Sequence, residues 1–139
     1  MRSILIPVDG SKHALSAVKH AISIVQDGIP AHIHVINVQP VIIPLSDFYD
    51  YELIEKAQHD EAERALQSAC KLLDKAGIKY SKAVKIGAIA STIIDYGKSH
   101  KCGWIIMGTR GMGSLSSLIM GSTSNRVIHL AKIPVTLVK

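Results

Sequence analysis

The sequence predicts an α/β fold, a three-layer sandwich in which helices cover both faces of a five-stranded parallel sheet. Apolar runs rich in Ile and Val alternate along the chain, without exception, with segments whose apolar residues recur at helical spacing. Parallel strands are buried on both faces, so they appear in a sequence as continuous apolar runs. Regular alternation of such strands with helices is the pattern of a sheet covered on both sides.

The strands are identified by short apolar runs that end near glycine or proline. Residues 2–8 form the first run, and residues 31–38 form the second, after which Pro40 and Pro44 break the chain into a loop. The five predicted strands cover residues 2–8, 31–38, 80–86, 103–107 and 134–138.

The helices are identified by apolar residues three or four positions apart. In the first helix Leu15, Val18, Ile22 and Val25 recur at this spacing. The second helix is long and stops before Gly77, since glycine commonly follows a helix C-terminus. The four predicted helices cover residues 11–26, 51–76, 90–100 and 122–131.

The order of these elements predicts where a ligand would bind. Right-handed crossovers that build outward from the first strand, first in one direction and then in the other, give the strand order 3-2-1-4-5. Ligands of open parallel sheets bind beyond the carboxyl ends of the strands, at the point where this direction reverses. Asp9 lies at the end of the first strand and Gly108 at the end of the fourth. The topology therefore predicts that both residues border one binding crevice.

Composition narrows the classes of function. With 139 residues and 47% hydrophobic residues, the chain fits a single domain spanning residues 1–139. Its two cysteines, Cys70 and Cys102, are far apart, which argues against a disulfide framework or a zinc site and favours a reducing cytoplasm.

The sixteen Lys and Arg residues are scattered, so no nucleic-acid partner is predicted. The N-terminal apolar run is too short for a signal peptide, and no stretch approaches a membrane span.

A glycine-rich stretch follows the fourth strand and suggests phosphate binding. Gly108 and Gly111 are followed by Gly121 and Ser122 at the start of the last helix, where backbone N–H groups and the helix dipole favour an anion. Ser114 stands where a P-loop requires its lysine, which argues against a P-loop. A dinucleotide fingerprint is also disfavoured, because the stretch follows the fourth strand rather than the first.

The complete pattern, Gly-x2-Gly-x9-Gly-Ser, resembles the signature of the ATP-binding branch of the universal stress protein family. The opening segment 4–11 (ILIPVDGS), segment 34–37 (HVIN) and the ending 133–138 (IPVTLV) also resemble that family. One departure is Cys102-Gly103-Trp104, where many members have an aspartate. The resemblance implies an adenine nucleotide alpha hydrolase-like fold, ATP as ligand, a homodimer and a regulatory role.

The resemblance and the predicted positions together assign a set of nucleotide-binding residues. Gly108 and Gly111 would let the backbone approach phosphates, because they have no Cβ. Asp9 would contact the ribose or hold Mg²⁺ that bridges the phosphates. The full predicted set is Pro7, Val8, Asp9, Val35, Met107, Gly108, Arg110, Gly111, Gly121, Ser122, Thr123 and Ser124.

Individual roles within this set differ. Gly121, Ser122, Thr123 and Ser124 would offer N–H groups and hydroxyls to phosphate. Val35, Pro7 and Val8 would contact adenine, with Val35 itself part of the core, and by resemblance the backbone of Met107 lies against the nucleotide. Arg110 would meet a phosphate or remain an exposed loop residue.

Structural alternatives stay open for several of these residues. Asp9 could serve only as a turn or capping residue before the first helix, and Ser122 only as the N-cap of the last one. The glycines could form a flexible loop. His32 and His34 would share one face of the second strand, but without a third ligand in register no metal site is predicted there.

Three classes of function remain. The first is an ATP-binding regulatory protein in which the nucleotide changes the conformation of residues 109–121 and thereby a surface for an unknown protein partner. The second is a slow ATPase or nucleotidyl transferase, which lacks support because no catalytic residue can be assigned near the phosphates. The third is a dimeric assembly module with an idle site, joined through the apolar edge strand at 134–138.

Overall fold

The computed structural model describes residues 1–47, 50–110 and 120–139. Strands and helices alternate along the chain as the sequence predicts. In chain order the elements are β1 (Arg2–Pro7), α1 (Lys12–Gln26), β2 (Ala31–Gln39), α2 (Tyr51–Lys75), β3 (Tyr80–Ile86), α3 (Ile89–Ser99), β4 (Trp104–Gly108), α4 (Ser122–Leu130) and β5 (Val135–Val138).

The sheet has the predicted strand order, β3-β2-β1-β4-β5, and each adjacent pair is parallel. β1 is central, with Leu5 opposite His34 of β2 on one side and Ile105 of β4 on the other. Because β1 and β4 are neighbours although two strands separate them in the chain, their carboxyl ends border the crevice at the switch point.

The helices form two layers, and each layer closes its own hydrophobic core. α1 and α2 cover one face, where Ile4, Ile6 and Val18 are fully buried. α3 and α4 cover the other face, where the core includes Leu5 and Ile36. Consecutive residues of a strand therefore enter opposite cores, which explains the continuous apolar runs in the sequence.

No boundary differs from the predicted one by more than one residue, and pairing and capping explain two of these differences. Ser11 is extended and caps α1, its Oγ accepting a hydrogen bond from the N–H of Ala14, so the helix begins one residue later than predicted. β4 runs to Gly108 because Gly108 pairs with Val138 and the N–H of Thr109 donates to the Val138 carbonyl. Gly108 is thus part of a strand rather than of the following loop.

The two cysteines are both free thiols and lie on opposite sides of the sheet. Cys70 packs beside the α1–α2 core, whereas Cys102 is buried in the α3–α4 core. The sheet therefore separates them, in agreement with the expectation that they form no disulfide. Within the described ranges, none of the helices combines the length and apolar character needed to cross a bilayer.

Candidate functional site

A pocket of about 280 Å³ opens at the carboxyl ends of β1, β2 and β4 and is bounded by the first turns of α3 and α4. It lies where the reversal of strand order predicts a ligand site. The residues that line it are Pro7, Val8, Asp9, Ala14, Asn37, Val38, Ile89, Ile93, Met107, Gly108, Arg110, Gly121, Ser122, Thr123 and Ser124.

Among the described residues of the predicted set, all except Val35 line this pocket. Three separated segments are brought together: residues 7–9 at the end of β1, residues 107–110 at the end of β4, and residues 121–124 at the start of α4. Gly111 lies outside the described residues. The structure thus gathers at one place residues that are about 100 positions apart in the chain.

Val35 is not brought to the pocket, contrary to the adenine contact predicted for it. Its side chain is fully buried in the α1–α2 core, where the sequence analysis also placed it, and it pairs in register with Ile6. β2 continues beyond Val35 as far as Gln39, so the residues that reach the pocket are Asn37 and Val38, closer to the carboxyl end of the strand.

Asn37 is a pocket residue that the sequence analysis missed. It is buried, its Nδ2 donates to the carbonyl of Val8 at 2.8 Å, and its Oδ1 accepts from Nε2 of Gln39 at 2.7 Å. The side chain therefore fixes the backbone just before Asp9. The sequence signal was a single asparagine near the end of an otherwise apolar strand.

Ala14 and two residues of α3 also line the pocket and were not predicted from the sequence. Ile89 and Ile93 are four positions apart and so lie on one face of the helix, which they turn toward the pocket. Their helical spacing indicates a buried face, but it does not distinguish a core contact from the wall of a cavity.

Gly108 is required by packing, which changes the role predicted for it. A Cβ at this position would lie 2.7 Å from both the carbonyl carbon and the Cβ of His13, and 2.9 Å from the His13 carbonyl oxygen. These distances are far below ordinary contact, and the backbone of α1 cannot move aside as a side chain can. The missing Cβ of Gly108 thus admits the first turn of α1, in addition to any ligand.

The carbonyl of Thr109 joins β4 to the start of α4. It accepts hydrogen bonds from the N–H of Gly121 at 2.7 Å and from Oγ of Ser124 at 2.8 Å. The N–H of Thr109 in turn donates to Val138 at 2.9 Å. We call this arrangement the Thr109 clasp. It fixes both ends of the segment 110–120 against the sheet.

The last helix begins with Gly121, not Ser122, as its N-cap. Gly121 has extended backbone (φ −64°, ψ 153°) and, within the described part of the chain, no side chain caps this end. Ser122 is the first helical residue, so the alternative in which it acts only as the N-cap is wrong. No acidic residue occupies the first turn, which leaves the positive end of the helix dipole without a carboxylate of its own.

Asp9 and Arg110 contribute opposite charges to the lining. Oδ1 of Asp9 accepts from the N–H of Ser11 at 2.9 Å, so the turn role considered for Asp9 is present. Arg110 is half-buried, and its Nη2 lies 2.7 Å from Nε2 of His13. Among the described lining residues, these are the one carboxylate and the one guanidinium, and no lysine joins them.

The histidines of β2 lie away from this pocket and bond to other protein groups. Nε2 of His32 is 2.8 Å from Oγ of Ser81, and Nδ1 of His34 is 3.2 Å from the hydroxyl of Tyr96. Within the described residues no three His, Cys, Asp or Glu side chains converge in an arrangement that could hold a metal ion.

Comparison with known proteins identifies the family of this chain. The model of the universal stress protein family matches residues 1–139, the whole length of the sequence. The chain belongs to the universal stress protein family. A universal stress protein of Methanocaldococcus jannaschii is 34% identical over 141 residues, which cover 99% of this chain and 82% of that relative.

Solved structures of universal stress proteins share the architecture. The UspA protein of Lactobacillus plantarum has a TM-score of 0.86 at 24% identity, with 99% of this chain and 97% of that chain covered. A family member of Arabidopsis thaliana with AMP bound has a TM-score of 0.74 at 15% identity, covering 100% of this chain and 92% of the other. A universal stress protein in complex with cAMP has a TM-score of 0.71 at 19% identity, covering 99% and 97%. The predicted resemblance and the predicted fold class are therefore confirmed.

Proposed function

We propose that the chain binds an adenine nucleotide, ATP with Mg²⁺, in the pocket at the switch point and uses its occupancy as a regulatory signal. The observation that carries this proposal is the convergence of residues 107–110 and 121–124 beside Asp9, joined by the Thr109 clasp. Family members of the same fold are described with AMP and with cAMP, which supports an adenine nucleotide as the ligand class.

The chemistry of the lining suits the two ends of a nucleotide. Val8, Val38, Ile89 and Ile93 offer apolar surface of the kind that packs against a purine ring. The hydroxyls of Ser122 and Thr123 and the N–H groups of the first turn of α4 are donors for phosphate oxygens. The absence of an acidic residue from that turn favours an anionic ligand there.

Asp9 is the residue that we assign to the metal ion. Magnesium in nucleotide sites is held by one or two carboxylates together with phosphate oxygens and water. Asp9 is the one carboxylate among the described lining residues, and its Oδ1 accepts a backbone N–H, which fixes its orientation. In this proposal Asp9 holds Mg²⁺ that bridges the phosphates or contacts the ribose.

The regulatory part of the proposal concerns residues 109–121. Phosphate contacts to Ser122 and Thr123 would act next to the clasp that holds both ends of this segment. We propose that ATP reduces the conformational freedom of the segment and so changes a surface that another protein recognises. Amide hydrogen exchange of residues 109–121 should slow on addition of ATP and not on addition of GTP.

The site is tested by the nucleotide that the protein retains. Protein purified without added nucleotide is heated, and the released small molecules are identified by mass spectrometry, while calorimetry measures ATP, ADP and AMP binding. Gly121→Val should abolish binding, because the backbone at φ −64° accepts valine and the new side chain enters the pocket. Gly103→Val is the matched control, since a Cβ at the exposed Gly103 meets no atom within 4 Å. Absence of retained nucleotide together with no heat at millimolar adenylates would refute the site.

We further propose that the protein forms a homodimer through β5. This strand is at the edge of the sheet, where backbone groups directed away from β4 can pair with a second copy. Val135→Pro removes an N–H on that outer side while retaining an apolar side chain, and sedimentation velocity should then show monomers. If Val135→Pro still sediments as a dimer with unchanged affinity, the interface lies elsewhere.

A further inference from the structure

His13, the second residue of α1, contacts Arg110 although 97 positions separate them. Nε2 of His13 and Nη2 of Arg110 are 2.7 Å apart, which is a short hydrogen bond. Arg110 lines the pocket, whereas His13 does not. The ring therefore contacts the guanidinium without itself lining the ligand site.

The chemistry of the two groups fixes the direction of this hydrogen bond. A guanidinium carries only N–H donors and stays protonated, so Arg110 must donate. Nε2 of His13 must then accept through its lone pair, which requires a neutral ring with its proton on Nδ1. The ring thus orients a cation without neutralising its charge. A carboxylate in the same position would neutralise it.

The position of His13 is itself fixed by the start of α1. Ser11 caps the helix through Ala14, and Asp9 accepts the N–H of Ser11. On the other side, Gly108 has no Cβ and lets β4 approach the backbone of His13. The close approach of β4 to α1 brings Arg110, two residues beyond Gly108, within reach of the ring.

Arg110 is the cation best placed to meet phosphate in this pocket. It is the only Lys, Arg or His among the described lining residues. Residues 111–119, with the sequence GMGSLSSLI, contain no ionisable side chain and can supply no second charge. Charge-assisted hydrogen bonds from a guanidinium to phosphate are stronger than hydrogen bonds between neutral groups. Their strength increases with the negative charge on the ligand.

We propose that His13 is a positioning residue that holds Arg110 toward the phosphates and so makes affinity depend on the number of phosphates. This inference rests on the proposed nucleotide site and deepens it. The site then favours ADP and ATP over AMP, and AMP over adenosine. The contribution of His13 is absent for adenosine, because that ligand offers Arg110 no anion.

The test measures dissociation constants for adenosine, AMP, ADP and ATP by calorimetry on four single variants and one double variant. Arg110→Gln should weaken ATP binding by roughly 10- to 100-fold, the usual range for a charged hydrogen bond, and leave adenosine within about twofold. His13→Phe keeps a ring but has no acceptor, and should weaken ATP binding by about 3- to 10-fold. His13→Gln should restore the affinity, because its Oε1 can accept from Arg110. His20→Phe, at an exposed histidine of the same helix, is the matched control.

The outcomes separate this inference from the proposed function. If the unmodified protein binds none of the four ligands, the proposed function fails. If it binds them and His13→Phe weakens adenosine and ATP equally, or leaves both unchanged, the positioning role is refuted. Combining His13→Phe with Arg110→Gln should add nothing to the loss caused by Arg110→Gln alone. An additive loss would also overturn the inference, and this comparison holds even if His13→Phe lowers stability.

Discussion

Replacing Gly108 by alanine tests the close approach of β4 and α1 on which the geometry of the site depends. The added methyl group would lie 2.7 Å from two carbon atoms of His13 and 2.9 Å from its carbonyl oxygen. Gly108 is not among the glycines with positive φ, so the cost comes from packing and not from backbone strain. Overpacking of this kind costs about 1–3 kcal/mol, and contact with main-chain atoms argues for the upper part of that range.

The expected effect on thermal stability follows from the size of the chain. For a protein of 139 residues, 1 kcal/mol corresponds to about 3 °C in Tm. Gly108→Ala should therefore lower Tm by about 6–9 °C, measured by scanning calorimetry in the absence of nucleotide. The matched control is Gly103→Ala, because a Cβ there meets no atom within 4 Å.

The two alanine variants should differ in sign. Gly103→Ala is expected to be neutral or to stabilise the protein by up to about 1 kcal/mol, since it reduces the freedom of the unfolded chain. A Tm for Gly108→Ala within about 2 °C of the parent protein would mean that the strand and the helix are not in contact there. The explanation given for His13 and Arg110 would then lose its structural basis.

Two further predictions concern buried polar groups. Asn37→Ala should lower the free energy of unfolding by about 1–3 kcal/mol in urea titrations, because the carbonyl of Val8 loses its donor. The pKa of His34 is lowered from 6.5, chiefly by burial and further by His32 and His100. As the pH falls below 6.5, the unfolded chain binds a proton at this position before the folded one does, so stability decreases with acidification. The loss of Tm between pH 7.5 and pH 5 should be smaller in His34→Asn than in the parent protein.

These two predictions have their own controls. Asn37→Ala should leave the pH dependence of Tm unchanged, since it adds and removes no titratable group. For the acid effect the control is His59→Asn, at an exposed histidine of α2. Equal acid sensitivity of His34→Asn and His59→Asn would show that His34 does not contribute. A Tm of Asn37→Ala equal to that of the parent would show that Val8 finds another donor.

The sequence predicts the sheet and the place of the site because both depend on patterns that are local in the chain. Alternating strands and helices determine the strand order, and the switch point then follows, which brings Asp9 and Gly108 to one crevice. The end of β4 was predicted one residue too early, because the pairing of Gly108 with Val138 is a contact between distant segments. Capping of α4 by Gly121 is likewise decided by the Thr109 clasp.

What the sequence does not reveal are contacts that depend on how far one element extends past another. Val35 and Val38 are both apolar residues of one strand, and only the length of β2 determines that Val38 reaches the pocket. Ile93 packs against the core and also lines the pocket, a double role that its helical spacing cannot show. The contact between His13 and Arg110 joins two residues that nothing in the sequence relates.

The hydrogen bonds to the Thr109 carbonyl affect which insertions the protein can tolerate during evolution. Because they join Thr109 to Gly121 and Ser124 directly, the ends of an inserted flexible stretch would stay held at the sheet, and its main cost would be the entropy of closing a longer connection. Doubling the length of a flexible loop costs only about 0.6 kcal/mol. Descendants of this gene could therefore acquire a new recognition surface there without loss of the underlying scaffold.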